Sequence, residues 1–338
     1  MSVCYPRRLK LAQTPTPLIP LRRLSAQIGG PLIWVKRDDM TGSAVSGNKI
    51  RKLEFTLAKA LDDGCDTVIT CGGVQSNHCR TTALLCAQLG LKCHLILRGA
   101  ADSEPDGNLL LDRLAGAAIS FYSHAEYQRR SEQIYRHWIE HYAAAGRSAF
   151  AIPIGASDGH GLWGYVAACE ELRADFARER IQPKHIIAAT GSGGTQGGLT
   201  AGNVLFDLGA SVWGINVCDD EAYFLRKVRE DLTQWRQWYR SIIPSSLDID
   251  ALSINVIDGY VGDGYAKAGV DVFETIRLAA ELEGLVLDPV YTGKGFYGML
   301  EQIKQGRFDD SDDIVFVHTG GIFGLFPQRQ QLRYAPID

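Results

Sequence analysis

No stretch of this 338-residue chain approaches the roughly 18 consecutive apolar residues that cross a bilayer, so no membrane helix is expected. Basic blocks are missing too. Lysine and arginine number 35 against 39 acidic residues, a net charge of −4, which makes nucleic acid and anionic membranes poor partners. The basic start, Met1 to Lys10, is not followed by an apolar segment, which speaks against a secretion signal. The eight cysteines (Cys4, Cys65, Cys71, Cys79, Cys86, Cys93, Cys169 and Cys218) include no C-x-x-C pair, so neither a zinc knuckle nor a thioredoxin-type centre is expected. In a long chain without a signal most of them read as small buried hydrophobes in a reducing cytoplasm. No metal is expected. His137-Trp138-Ile139-Glu140-His141 has the H-x-x-E-H pattern, but it lies in a charged helical stretch with no third ligand at a suitable spacing.

What is present is ordinary globular composition, with 46% hydrophobic and 22% charged residues. The length suits two domains or one large α/β unit. Short β-branched runs alternate with helical patterns. Predicted strands are Leu32–Lys36, Thr67–Thr70, Cys93–Leu97, Phe150–Ile154, Ile186–Thr190, Val212–Val217 and Ile314–His318. Ile50, Leu53, Leu57 and Leu61 mark one helix face, and Phe273, Ile276 and Ala280 another, closed by Gly284. This alternation predicts parallel sheets with crossover helices. Ala100–Gly107 and Ser241–Asp250 read as loops.

The strand Ile186–Thr190 runs into Gly191-Ser192-Gly193-Gly194-Thr195-Gln196-Gly197-Gly198, and Leu199 opens a helical pattern. Five glycines in eight positions let backbone N–H groups converge on an anion, and a helix start adds its dipole. Counting from Gly191, a G-x-G-x-x-G fingerprint fails at Gln196, and no Walker lysine follows, so a monophosphate fits better than a nucleotide. Ser192 and Thr195 add hydroxyl donors.

Ser46-Gly47-Asn48-Lys49 carries capping chemistry and puts Lys49 in the first turn of a helix. There the dipole and nearby cations disfavour an ammonium and free an amine nucleophile. Lys52 reads instead as part of a solvated basic face. A phosphate loop together with an amine nucleophile is the binding logic of pyridoxal phosphate, whose aldehyde forms a Schiff base with lysine.

A second loop, Cys71-Gly72-Gly73-Val74-Gln75-Ser76-Asn77-His78, runs from a strand into a helix predicted from Cys79 to Leu89, and suits an amino-acid carboxylate. His78 is a base, a ligand or a satisfied polar residue at a helix start. Asp288-Pro289-Val290-Tyr291-Thr292-Gly293-Lys294-Gly295 and Val317-His318-Thr319-Gly320-Gly321 also follow apolar segments at strand ends, where α/β sheets bind ligands. Tyr291 offers a stacking ring, and Thr292 and Thr319 offer neutral hydroxyls.

Taken in order, Ser46–Lys49 with Arg51–Phe55, Gln75–His78, Gly191–Thr195, Tyr291–Lys294 and His318–Gly321 make a set that resembles the pyridoxal-phosphate family of D-cysteine desulfhydrase and 1-aminocyclopropane-1-carboxylate deaminase. The match runs from Pro15-Thr16-Pro17-Leu18 to Phe326. L-cysteate sulfo-lyase is similar. The resemblance implies an α/β fold like the tryptophan synthase β-subunit (fold type II), with two open, twisted, mostly parallel sheets flanked by helices. It implies a large cofactor-binding domain of residues 1–54 plus 158–338, a small domain of 55–157, and a homodimer. Lys49 would hold the cofactor aldehyde and take the substrate's Cα proton. Gly191, Ser192, Gly193, Gly194 and Thr195 would hold the phosphate, and Asn77 the phenolic oxygen. Gln75, Ser76, Asn77 and His78 would meet the substrate. Tyr291 would line the ring face with Thr292 and Thr319, and Tyr265, from Gly262-Asp263-Gly264-Tyr265, would approach the substrate.

Deaminases that open the cyclopropane look like Tyr-Glu-Gly and His-Leu-Gly-Gly at the last two motifs, whereas this chain has Tyr291-Thr292-Gly293 and His318-Thr319-Gly320. A carboxylate beside the pyridine nitrogen keeps it protonated and strengthens the electron sink; a threonine does not. A weaker sink suits α,β-elimination of a good leaving group. The resemblance therefore implies release of pyruvate, ammonia and sulfide from D-cysteine or a close β-substituted alanine. L-cysteate sulfo-lyase and cyclopropane deaminase are the alternatives within the class, and a non-catalytic regulator binding the cofactor or an amino acid is the alternative outside it. Asp158–Trp163 and Cys218–Glu221 depart from the family motifs; whether they reach the pocket bears on the substrate.

Overall fold

The computed structural model describes residues 3–101 and 105–333. Among them run ten strands: β1 (Leu18–Pro20), β2 (Leu32–Lys36), β3 (Thr67–Gly73), β4 (Lys92–Arg98), β5 (Ala118–Tyr122), β6 (Ala149–Ala151), β7 (His185–Thr190), β8 (Ser211–Asn216), β9 (Asn255–Ile257) and β10 (Asp313–Val317). The α-helices are α1 (Arg22–Ile28), α2 (Asn48–Asp62), α3 (Asn77–Leu89), α4 (Gly107–Leu114), α5 (His124–Ala144), α6 (Trp163–Glu179), α7 (Gly194–Leu205), α8 (Glu221–Trp238), α9 (Val270–Glu283) and α10 (Thr292–Lys304).

The strands form a six-stranded sheet, β1-β2-β10-β7-β8-β9, and a four-stranded sheet, β5-β4-β3-β6. Every pairing is parallel except β1 with β2. Both are covered on two faces, which is why β3 and β7 are buried along their whole length and read as unbroken apolar runs. Alternate residues feed opposite cores. Trp34, Val315 and Val317 pack with Trp163 and Trp235, whereas Ile33, Val35, Ile314 and Phe316 pack with Phe296 and Met299. In the smaller sheet Val68, Leu95 and Leu97 point one way, and Ile69, Cys71 and Ile96 the other.

All seven predicted strands are present, Leu32–Lys36 with the same ends and the others with at least one end shifted by one to three residues. β1, β5 and β9, which the pattern did not announce, are all sheet edges. An edge strand is short or half-buried and carries a weaker apolar signal. The predicted helix stop at Gly284 is there, in left-handed conformation at φ 62°. Two helices begin earlier than their apolar pattern suggests, α3 at Asn77 and α7 at Gly194, because their first turns are polar and face a cavity instead of the core.

Helix α2 departs most from expectation. Besides Ile50, Leu53 and Leu57 it buries Arg51, Lys52 and Glu54. Arg51 forks onto Asp38 (Nε to Oδ2 2.9 Å, Nη2 to Oδ1 2.8 Å) and onto Glu171 (2.7 and 2.9 Å), and Tyr165 donates to the same Asp38 at 2.7 Å. Arg51 and Glu54 are buried because each meets a fixed partner of opposite charge, Glu54 pairing with Arg8 at 2.6 Å.

Candidate active site

The N-terminal turns of α2, α3 and α7, and Tyr291 just before α10, converge on one cavity of about 780 Å³ at the carboxyl ends of strands from both sheets. Gly47, at φ 108°, precedes α2. A Cβ there would fall 2.7 Å from the carbonyl oxygen of Thr319, and one on Gly320 would fall 2.7 Å from the Cα of Gly47. This contact, sealed by the Asn48 N–H on the Thr319 carbonyl at 3.1 Å, delivers Lys49 to the cavity. No side chain caps α2, contrary to the capping chemistry read from Ser46–Asn48.

Lys49 is half-buried, and its amine makes no hydrogen bond or ion pair among the described residues. Burial, and then the charge of Arg80, bring its pKa down to about 8. About a tenth of the amine is therefore unprotonated at pH 7 and about half at pH 8, far more than an ordinary lysine offers, and the free amine is the form a nucleophile or base requires.

The 191–198 turn faces the same cavity. Asn48 Nδ2 donates to Thr195 Oγ1 at 2.9 Å and ties the lysine helix to it. Ser157 Oγ accepts from Gly194 N at 3.1 Å and donates to Ser192 Oγ at 2.8 Å. Lys52, expected on a solvated face, is instead fully buried with Nζ 3.3 Å from that same Ser157 oxygen. A Cβ on Gly194 would come within 3.0 Å of Lys52 Nζ and 2.6 Å of Ser157 Oγ, so only glycine leaves this cradle open. A buried ammonium beside the positive end of α7, with no carboxylate within ion-pair distance among the described residues, is held against its own electrostatics. Desolvation and then Lys49 push its pKa well down. A phosphate at the turn relieves all of this, and the donor set fits one. Lys52 and Ser157 are site residues that sequence reasoning missed. Ser157 is far from the glycine turn in the chain, and Lys52 differs in no local way from a surface lysine.

The second loop also lines the cavity. Ser76 caps α3, its oxygen accepting from Cys79 N at 3.2 Å. Asn77 is gripped from behind by Arg80 and Asn108. Gln75 departs from its expected use. Its amide donates to the Asp106 carbonyl at 3.0 Å and accepts from Asn108 N at 2.9 Å, so the side chain anchors the start of α4, although the residue lines the cavity. His78 Nε2 lies 2.8 Å from Thr70 Oγ1, whose proton goes to the Ile152 carbonyl, which assigns the ring proton to Nε2. Nδ1 has no partner, and burial with the two lysines keeps the ring neutral by pushing its pKa well down.

Tyr265 and Tyr291 meet hydroxyl to hydroxyl at 2.6 Å on the cavity wall. Burial raises Tyr265 to about 12 and Tyr291 well above its usual value, so both are protonated and able to donate. Thr319 faces the cavity. Thr292 does not line it, and its hydroxyl donates to the buried Asp288 Oδ1 at 2.7 Å. Of the two stretches that depart from the family motifs, Cys218 and Asp219 line the cavity and 158–163 do not. Cys218 is thus not a core hydrophobe, unlike Cys71, Cys79, Cys86, Cys93 and Cys169, which are buried; all eight thiols are free.

The pyridoxal-phosphate dependent enzyme family matches residues 9–320. The chain is 38% identical over 331 residues to the bifunctional D-cysteine desulfhydrase/1-aminocyclopropane-1-carboxylate deaminase of Arabidopsis thaliana, covering 95% of this chain and 80% of that protein. It is 40% identical over 328 residues to a putative 1-aminocyclopropane-1-carboxylate deaminase of Thermotoga maritima, covering 96% and 99%. A crystal structure of an ACC deaminase homologue superposes with a TM-score of 0.85 at 33% identity, covering 96% of this chain and 95% of that one.

Proposed function

Because the chain belongs to the pyridoxal-phosphate-dependent D-cysteine desulfhydrase and 1-aminocyclopropane-1-carboxylate deaminase family, an enzyme family whose cofactor is pyridoxal phosphate, we propose that it catalyses α,β-elimination from D-cysteine or a close β-substituted alanine. The products are pyruvate, ammonia and hydrogen sulfide. The observation that carries this reading is the pairing of an unpartnered Lys49 amine, lowered to about 8, with the buried Lys52 cation at the 191–198 turn. A phosphate monoester bearing an aldehyde answers both.

When bound, pyridoxal phosphate withdraws electrons from the substrate's Cα. Gly191, Ser192, Gly193, Gly194, Thr195 and Lys52 would hold its phosphate, and Lys49 Nζ its aldehyde carbon. Asn77 would donate to its phenolic oxygen. The backbone of Gln75 and Ser76, with the Ser76 hydroxyl, receives the substrate carboxylate at the N-terminal turn of α3. Once the substrate's amine takes its place on that carbon, Lys49 Nζ would be free to take the Cα proton. Tyr265 and Tyr291 are both protonated; one hydroxyl donates to the other, which leaves one proton of the pair to donate to a departing thiolate. Thr319 supplies a neutral hydroxyl on the cavity wall. Asp219 is the only carboxylate among the described lining residues, and it is exposed, so no buried acid stands ready to protonate a ring nitrogen. That favours elimination over cyclopropane opening.

The sheets support the division into residues 1–54 with 158–338 and residues 55–157. All four strands of the smaller sheet lie between Thr67 and Ala151. The eight free thiols are in keeping with a reducing cytoplasm, and no helix among the described residues is long and apolar enough to cross a membrane. A homodimer is part of the same proposal.

The test is a product assay of the cofactor-loaded protein with D-cysteine, L-cysteine, L-cysteate and 1-aminocyclopropane-1-carboxylate. Sulfide with equimolar pyruvate from D-cysteine is the expected result. Sulfite from cysteate alone, or a four-carbon keto acid from the cyclopropane alone, would replace the substrate named here.

A further inference from the structure

Arg98 is the last residue of β4, paired with Gly73 on one side and Tyr122 on the other. Gly73 opens the loop that leads to Ser76 and Asn77, and a Cβ on it would lie 2.9 Å from the Tyr265 ring. Arg98 therefore stands one strand spacing, about 4.8 Å of backbone, from the floor beneath Tyr265. Its side chain lines the cavity.

Each other cation built into this region has a task. Arg51 is forked by Asp38 and Glu171, Arg80 holds Asn77, and Lys49 and Lys52 serve the cofactor. The Arg98 guanidinium makes no hydrogen bond and no ion pair with any described residue. Its Nε is shut off from solvent without a partner, and its contact is with the face of Tyr127, whose ring centre lies 5.4 Å from Cζ. A guanidinium carries five N–H donors in a fixed fork, and leaving a buried one unmade is costly. One turn apart on α5, Gln128 and Ser131 also line the cavity with side chains that make no hydrogen bond within the described chain. The exposed Asp219, the one carboxylate on the wall, accepts the Cys218 S–H at 3.2 Å.

We propose that this end of the cavity is a subsite for a second anionic group of the substrate, read by the Arg98 fork with Gln128 and Ser131. Among β-substituted alanines the site then favours those with a carboxylate or sulfonate on Cβ. The inference rests on the proposed reading in one respect, that the cavity holds an α-amino acid over the cofactor.

The experiment titrates the holoenzyme with the D and L forms of alanine, aspartate and cysteate, following the absorbance of the bound cofactor. The alanine Kd should exceed the aspartate or cysteate Kd by about tenfold or more in the wild-type protein, the value of one charge-assisted fork. In Arg98→Met that ratio should collapse toward one, and Arg98→Lys should restore part of it. Preference for one anion alone supports the subsite and names the anion. Equal binding of alanine and the acidic amino acids, or a ratio that survives Arg98→Met, overturns it while leaving the elimination reading intact. If no amino acid perturbs the cofactor, the elimination reading falls and the subsite with it.

Discussion

Arg80 Nη1 lies 3.2 Å from Asn77 Oδ1, and Asn108 Nδ2 lies 3.1 Å from the same oxygen. Two donors on one carbonyl settle the orientation of the Asn77 amide, so its NH₂ is the end left for the cavity. Arg80 is itself pinned, donating to the Ser46 carbonyl at 2.6 Å and to Asn108 Oδ1 at 3.0 Å. It thereby links the lysine helix to the second loop as a positioning residue.

Arg80→Met should lower cofactor affinity by about tenfold and shift the pH at which the bound cofactor changes colour, because Asn77 is then free to turn its oxygen inward. Asn77→Ala should do much the same. Spectral titration of both single variants and the double variant checks this. Effects that simply add in the double variant would show that Arg80 does not act through Asn77.

The low pKa of Lys49 sets a pH dependence. A lysine whose pKa is depressed to about 8 carries a free amine above that pH and an ammonium below it. The rate at which cofactor-free protein captures pyridoxal phosphate should rise with pH and be half-maximal near 8. Arg80→Met removes a neighbouring positive charge, so the midpoint should move upward. Stopped-flow absorbance gives the midpoint, and borohydride reduction with peptide mapping places the adduct. A midpoint near 10.4, the ordinary lysine value, would contradict the burial argument.

Lys52→Met separates holding an anion from holding the fold. In the cofactor-free protein the buried ammonium is unfavourable, as its lowered pKa records. Replacing it with an apolar chain should leave Tm unchanged or raise it, while cofactor affinity falls by about tenfold or more. Calorimetry with and without cofactor measures both. A loss of Tm in the cofactor-free variant would make Lys52 a structural residue only.

The Asp38–Arg51–Glu171 cluster should govern acid stability. Both carboxylates are held below their usual range by Arg51 although burial opposes it. Groups of lowered pKa contribute stability above the unfolded carboxylate range, about pH 4, and lose it as pH falls further. Arg51→Met strands two buried acids and should cost about 3–5 kcal/mol at pH 7. In the variant burial raises those pKa values instead, so the gap to wild type should narrow on acidification. Urea unfolding at pH 7 and pH 4.5 tests the sign, and a gap that widens in acid would contradict it.

The strand-end turns, the lysine in a first turn and the order of motifs along the chain were legible because each is local. Glycine at 193 and 194, a polar first turn or an apolar alternation states its geometry within a few residues. Lys52, the side chain of Gln75 and Thr292 were misassigned for the opposite reason. A lysine in a basic stretch looks solvated until Ser157, 105 residues away, stands over it. A glutamine beside a binding loop looks free until the start of α4 takes both ends of its amide.

By itself, then, the sequence determined the α/β class, the lysine in the first turn of α2 and the glycine turn at the end of β7, since backbone freedom and hydrophobic period are written residue by residue. Tertiary structure alone decided which side chains share the cavity, how far the Lys49 amine is stripped of its proton, and which guanidinium is left without a partner. Burial and Coulomb forces act through space, and neighbours in space are set only when the two sheets close on one another.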